Sequence, residues 1–206
     1  YLLNSYKLGD LTKVYPIARG FGPIVATIIS ILFLGLIISN LAILSIFFIS
    51  LGIMFIGIFD QSNFKNIKMI KYSLYTGFFI GLYSLVDGYG ARVSLSAITY
   101  MSWSFILGAI MFLVLLKIKK YKNVLKKITA KGKNIFFIGG SLSYVIYIIV
   151  VWGFTKAPIP MVAALREFSI FLSIFFGYFF LKEKITFIKV ISIILIVSGV
   201  IGLKMV

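Results

Sequence analysis

Apolar residues along this chain fall into long runs, and most lysines sit in the gaps between them. A helix that crosses about 30 Å of hydrocarbon needs about 20 such residues. After a short opening remnant, residues 1–8, seven runs come close to or exceed that length: 14–38, 41–59, 70–89, 97–118, 135–154, 159–181 and 187–203. Transmembrane strands would alternate polar and apolar positions over about ten residues, and residues 43–49 show no such alternation. The runs predict helices. Gly35 to Asn40 separates the first two, and Gly88 and Gly90 are expected to loosen the end of the third. Ala157-Pro158-Ile159-Pro160 opens the sixth, where a first-turn proline costs no hydrogen bond.

The runs also repeat. At an offset of 147 residues Arg19 falls on Arg166, Phe21 on Phe168, Leu34 on Leu181 and Ile38 on Ile185. Without a gap, Ser45 then meets Ser192, Ile46 meets Ile193, Ile49 meets Ile196 and Gly52 meets Gly199. Matches of Ile or Leu are cheap in so apolar a chain. An intramembrane Arg is rare, so its match carries weight. The interval holds five runs, an odd number, so equivalent helices cross in opposite directions. That is the inverted repeat of many secondary transporters.

Composition narrows the class. Of the 206 residues 61% are hydrophobic and 13% charged, whereas soluble domains carry roughly a quarter charged. Without Cys or His, disulfides, thiolate nucleophiles and the usual zinc sites are excluded. The acids are Asp10, Asp60, Asp87, Glu167 and Glu183, a thin supply for hydrolytic chemistry. No catalytic group, metal or cofactor is expected, and the protein reads as no enzyme. A net charge of +16 would suggest nucleic acid in a soluble protein. Here the lysines cluster between apolar runs, and no nucleic-acid partner is expected. The chain opens on Tyr1 within an apolar stretch, so it reads as N-terminally truncated.

Lysine also sets an orientation. Lys117, Lys119, Lys120, Lys122, Lys126, Lys127, Lys131 and Lys133 crowd one connection, and Lys65, Lys68 and Lys71 mark another on the same face. Lys7, Lys13, Lys182 and Lys184 join them, while the other face has Arg92, Lys156 and Lys204. The lysine-rich face is the cytoplasmic one and Val206 lies outside. The long lysine connection reads as a topological anchor, with anionic-lipid binding as its alternative.

Several segments carry a family resemblance. Ala163-Ala164-Leu165-Arg166-Glu167, then Leu181-Lys182-Glu183-Lys184 and Val197-Ser198-Gly199-Val200-Ile201, resemble the last two helices of an EamA domain of the drug/metabolite transporter superfamily. Val14-Tyr15-Pro16-Ile17-Ala18-Arg19-Gly20, with Gly52, resembles the same unit one domain earlier. Asp87-Gly88-Tyr89-Gly90-Ala91-Arg92, with Tyr100 and Trp103, resembles the opening of a second domain. The resemblance implies ten spans in two five-helix halves. Residues 1–59 would close the first EamA repeat (end of span three, spans four and five), 60–71 form a cytoplasmic linker, and 72–206 supply the second (spans six to ten). It departs in two places. Leu36 replaces an acid found in many members, which predicts a less regular turn there, and the lysines put the C-terminus outside rather than inside.

Candidate binding residues follow from charge and depth. Arg166 lies about 10 Å below the start of its run, and Arg19 at the matching depth from the other side. Such an arginine either forms a structural ion pair, snorkels, or lines a cavity for an anionic or carboxylated solute. Glu167 is adjacent to Arg166, but neighbours on a regular helix point about 100° apart, so another partner or a wet cavity is expected for it. Asp87 is expected to interact with Arg166. Either acid, Asp87 or Glu167, could carry protons in a proton-coupled cycle, and a structural role fits each equally. Among Tyr83, Tyr100, Trp103, Tyr144, Tyr147 and Trp152, all open to an interfacial reading, Tyr83 and Trp103 are the favoured cavity residues. Gly77 and Gly81 form a small-xxx-small packing pair.

The expected fold is an all-α polytopic transmembrane bundle with inverted repeats. The expected function is a secondary carrier moving a small metabolite across a bacterial inner membrane by alternating access, and the family resemblance implies that the direction is export. Its partners are a small-molecule solute and the lipid bilayer. The competing readings are a membrane-embedded lipid-modifying enzyme and a non-transporting accessory subunit.

Overall fold

The computed structural model describes residues 1–8, 11–59, 67–120, 124, 132–182 and 185–206. Within them run nine helices: α1 (Leu2–Tyr6), α2 (Leu11–Leu34), α3 (Asn40–Phe59), α4 (Ile67–Val93), α5 (Ala97–Ile118), α6 (Lys133–Lys156), α7 (Ile159–Arg166), α8 (Ser169–Leu181) and α9 (Phe187–Lys204). Six stretches are long and apolar enough to cross a membrane: Lys13–Leu34, Asn40–Phe59, Ala97–Ile118, Phe136–Lys156, Ile159–Phe180 and Phe187–Lys204. The third expected run corresponds to α4, which has the length, at 27 residues, but is less apolar. The protein is an all-α, multi-pass membrane bundle. Residues 60–66 of the expected linker, most of the lysine-rich connection, and Glu183 and Lys184 lie outside the described residues.

Two compact units divide the chain: Tyr1–Val86 with Ala157–Val206, and Asp87–Lys156. In the first, α3 is central and packs on both α2 and α9. Ile46, Ile49, Ile53 and Ile196 form its core, each at most 1% exposed. Gly77 and Gly81 of α4 let that helix lie against α2. A methyl on Gly77 would stand 2.6 Å from the Ala18 carbonyl oxygen, and one on Gly81 would stand 2.8 Å from that of Gly22. The small-xxx-small pair is a packing device.

The 147-residue repeat reaches the backbone. Gly35 and Lys182, an equivalent pair, both stop their helices in the left-handed conformation, with φ of 60° and 53°. Leu36 N–H donates back to the Ser30 carbonyl at 3.0 Å, an ordinary helix stop. The irregularity expected at Leu36 is therefore absent, because Gly35 supplies the turn without help from an acid. Ser39 and Thr186, also equivalent, cap the next helices by accepting from Ala42 N–H at 3.2 Å and Lys189 N–H at 3.3 Å. The two turns are built alike.

The repeated helices then meet each other. Gly52 of α3 lies against the Ser192 carbonyl and Ile196 of α9, while Gly199 of α9 lies against the Ser45 carbonyl and Ile49 of α3. As numbering rises along α3 it falls along the contacted part of α9, so the pair is antiparallel. Each contact is the other with its halves exchanged, as across a two-fold axis.

The second unit is sparser. Only 6% of the most apolar stretch of α5, and of that in α6, is buried within the protein. Apolar faces so open require hydrocarbon or further helices around them. α4 continues through Gly88 and Gly90 to Val93. The loosening expected there does not occur, because Gly90 is held by packing described below. The sixth expected run is instead interrupted, at Glu167 and Phe168, between α7 and α8.

Candidate functional site

The interruption forms a charge cluster. Glu167 N–H bonds to the Ala164 carbonyl, Phe168 N–H to that of Leu165 and Ile170 N–H to that of Glu167, each at 3.0 Å. These three-residue closures tighten the chain beyond α-helical geometry. The regular 100° step fails at this point, and Arg166 Nε reaches the adjacent Glu167 Oε1 at 3.3 Å. The sequence-based expectation that these neighbours do not pair is corrected, since it assumed an unbroken helix.

Glu167 takes a second arginine on its other oxygen. Arg19 Nε donates to Oε2 at 2.7 Å. The Glu167 side chain is fully buried, and those of Arg19 and Arg166 are 18% and 10% exposed. The two arginines matched by the repeat thus converge on one carboxylate. Two guanidinium groups and one carboxylate leave a single net positive charge. A buried charge is tolerable in hydrocarbon surroundings only with such partners.

α2 is loosened beside its arginine as well. Pro23 has no N–H for the Arg19 carbonyl four residues back, so the helix ladder is broken at that turn. The Arg19 guanidinium carbon lies 5.3 Å from the centre of the Tyr15 ring, within cation–π range. Arg19 and Tyr15, with Thr76, Ile80 and Tyr83, line a cleft of about 500 Å³. That volume suits a small solute. Tyr83 and Arg19, both singled out from sequence, therefore share one cavity.

Asp87 forms a separate cluster in the second unit. Its Oδ1 accepts from the Tyr100 hydroxyl at 3.0 Å and its Oδ2 from the Tyr147 hydroxyl at 2.6 Å. Gly90, one helical turn on, makes this possible, because the Tyr100 ring occupies the space a side chain would fill there. Ser102 and Tyr144 add a hydroxyl pair 2.6 Å apart. Within its own unit the aspartate takes two tyrosines, and within the other unit Arg166 takes Glu167. Trp103 is 61% exposed on α5. Sequence reasoning gave no site role to Tyr15, Pro23 or Gly90, and put Tyr147 behind Trp103. The usable signals were the spacing of Pro23 four residues after Arg19 and of Gly90 three after Asp87.

Antiparallel, repeat-related helices, most of them long and apolar enough to cross a membrane, define a multi-pass helical membrane protein. Residues 67–205 match the model of the EamA-like transporter family, and the chain belongs to that family, within the drug/metabolite transporter superfamily. The search of curated proteins gives no match.

Proposed function

We propose that this protein is a secondary carrier that exports a small anionic or carboxylated metabolite, by alternating access between two inverted repeats. The observation that carries the reading is Arg19. Its guanidinium is anchored on one side by the buried Glu167 and borders a solute-sized cleft on the other. A cation fixed in this way attracts a carboxylate without having to be reorganised on binding. An interrupted helix beside such a charge, here at Glu167, is the usual setting of transporter binding sites.

Under this reading residues 1–59 belong to one repeat and residues 72–206 to the other. The membrane is the inner membrane of a bacterium, with the lysine-rich face inward. A proton-driven cycle would use Asp87 or Glu167, the acids among the described residues.

Expressing the gene in a strain sensitised to many metabolites, and following solute efflux, tests the proposal. Anionic solutes should leave faster than in the empty strain, and Arg19→Ala should abolish the difference while the protein still reaches the membrane. Efflux confined to cationic solutes, or efflux indifferent to Arg19→Ala, overturns it.

A further inference from the structure

The second unit holds a groove that the carrier reading leaves unused. It lies where α4 and α6 end and α5 begins, has a volume of about 740 Å³, and falls wholly within Asp87–Lys156. Its lining is divided by chemistry. Arg92 and Lys156, each in the last turn of its helix, contribute two cations, and Ile98, Ile149 and Trp152 contribute an apolar wall. Arg92 does not swing freely. Its Nε donates to the Phe154 carbonyl at 2.9 Å, which satisfies one of the terminal acceptors of α6 and holds the guanidinium beside the turn that carries Lys156.

We propose that this groove binds an anionic phospholipid, with the phosphate between Arg92 and Lys156 and an acyl chain along Ile98, Ile149 and Trp152. Three helix ends meeting at one level put the cations at headgroup depth. The apolar wall continues into α5 and α6, whose surfaces are almost wholly exposed. A free anion would use the cations and leave the wall empty, whereas an amphiphile uses both. Trp152 is 56% exposed, and an indole at such a depth is at home against lipid.

The protein has two tryptophans, which makes the test direct. Trp103→Phe serves as a fluorescence background in which Trp152 is the sole emitter. The protein is placed in mixed micelles with phosphatidylglycerol or phosphatidylcholine brominated in the acyl chain, and quenching is titrated. Phosphatidylglycerol should half-quench at a mole fraction lower by on the order of tenfold, given about 1 kcal/mol per basic residue. The preference should fall in Lys156→Gln, return in Lys156→Arg, and vanish in Arg92→Gln with Lys156→Gln. Excess inorganic phosphate should not relieve it. Equal quenching by both lipids, or a preference that survives the double substitution, overturns the proposal. Relief by inorganic phosphate would identify a free-anion site and overturn it as well.

Discussion

Gly52 and Gly199 perform the same contact on opposite partners. Each brings its helix down onto a serine carbonyl of the other, at Ser192 and Ser45, and onto Ile196 and Ile49. A methyl added to Gly52 would lie 2.9 Å from the Ser192 carbonyl oxygen, and one added to Gly199 would lie 2.6 Å from that of Ser45. Both approaches are closer than a carbon can tolerate without the helices parting. Gly52→Ala and Gly199→Ala are each expected to lower stability by about 1–3 kcal/mol, and to similar extents. Gly108→Ala on α5, where a methyl would meet open space, should be neutral. Melting of the detergent-solubilised protein, read by size-exclusion chromatography after heating, measures all three. A neutral Gly52→Ala would contradict the packing.

The Arg19–Glu167 pair is expected to couple strongly. Removing Glu167 leaves two arginines without their carboxylate, at a cost of about 3–5 kcal/mol, whereas Arg19→Ala leaves Glu167 paired with Arg166 and should cost less. Arg19→Ala combined with Glu167→Ala should cost clearly less than the two separate losses added together. The same melting assay closes the cycle, and simple additivity would mean that the contact carries no energy of its own.

At Asp87 the two phenol donors should each contribute about 1.5–3 kcal/mol, as hydrogen bonds to a charged acceptor do. Tyr147→Phe and Tyr100→Phe are therefore expected to destabilise the second unit. Gly90→Ala should reproduce Tyr100→Phe, because it displaces the same ring. Hydrogen exchange over residues 87–100 gives the comparison. A Gly90→Ala protein that exchanges like the parent would break the link between the glycine and the aspartate.

Lys182 holds a left-handed backbone that costs a residue with a side chain about 1–2 kcal/mol. Lys182→Gly should recover part of this, and Gly35→Ala should lose a similar amount. Opposite shifts in melting temperature are the expected result, and shifts of the same sign would contradict it.

Much of this fold was legible in the sequence, for particular reasons. Spans such as 97–118 appear with their ends unchanged because hydrocarbon imposes length and apolarity on contiguous residues, and contiguity is what a sequence displays. The equivalence of Arg19 with Arg166 was visible because arginine is scarce at such depth. Their meeting on Glu167 was not. It depends on the chain tightening between Ala164 and Ile170, which no glycine or proline within that stretch announces. The partners of Asp87 were hidden for a similar reason. Tyr147 lies 60 residues away, and an interfacial tyrosine carries no mark that separates it from one that binds a carboxylate.

Orientation remains a prediction of the lysines alone. Alkaline phosphatase fused after Val206 should be active if the C-terminus faces outward, and a fluorescent protein at the same place should be dark. The reverse pair of results would invert the orientation.

One difference between the repeats bears on how a cycle would run. Where the second half has Glu167, the first has Gly20, packed against the Ser50 carbonyl of α3. Two identical inverted halves would make the inward-open and outward-open forms equal in energy, since each is the other turned over. A carboxylate contributed by one half alone removes that equality, so under the proposed cycle the empty protein should have a resting side. With no native cysteine in the chain, thiols introduced one at a time and labelled from either side of the membrane would reveal which side it is, and even labelling from both would show that the carboxylate gives no bias.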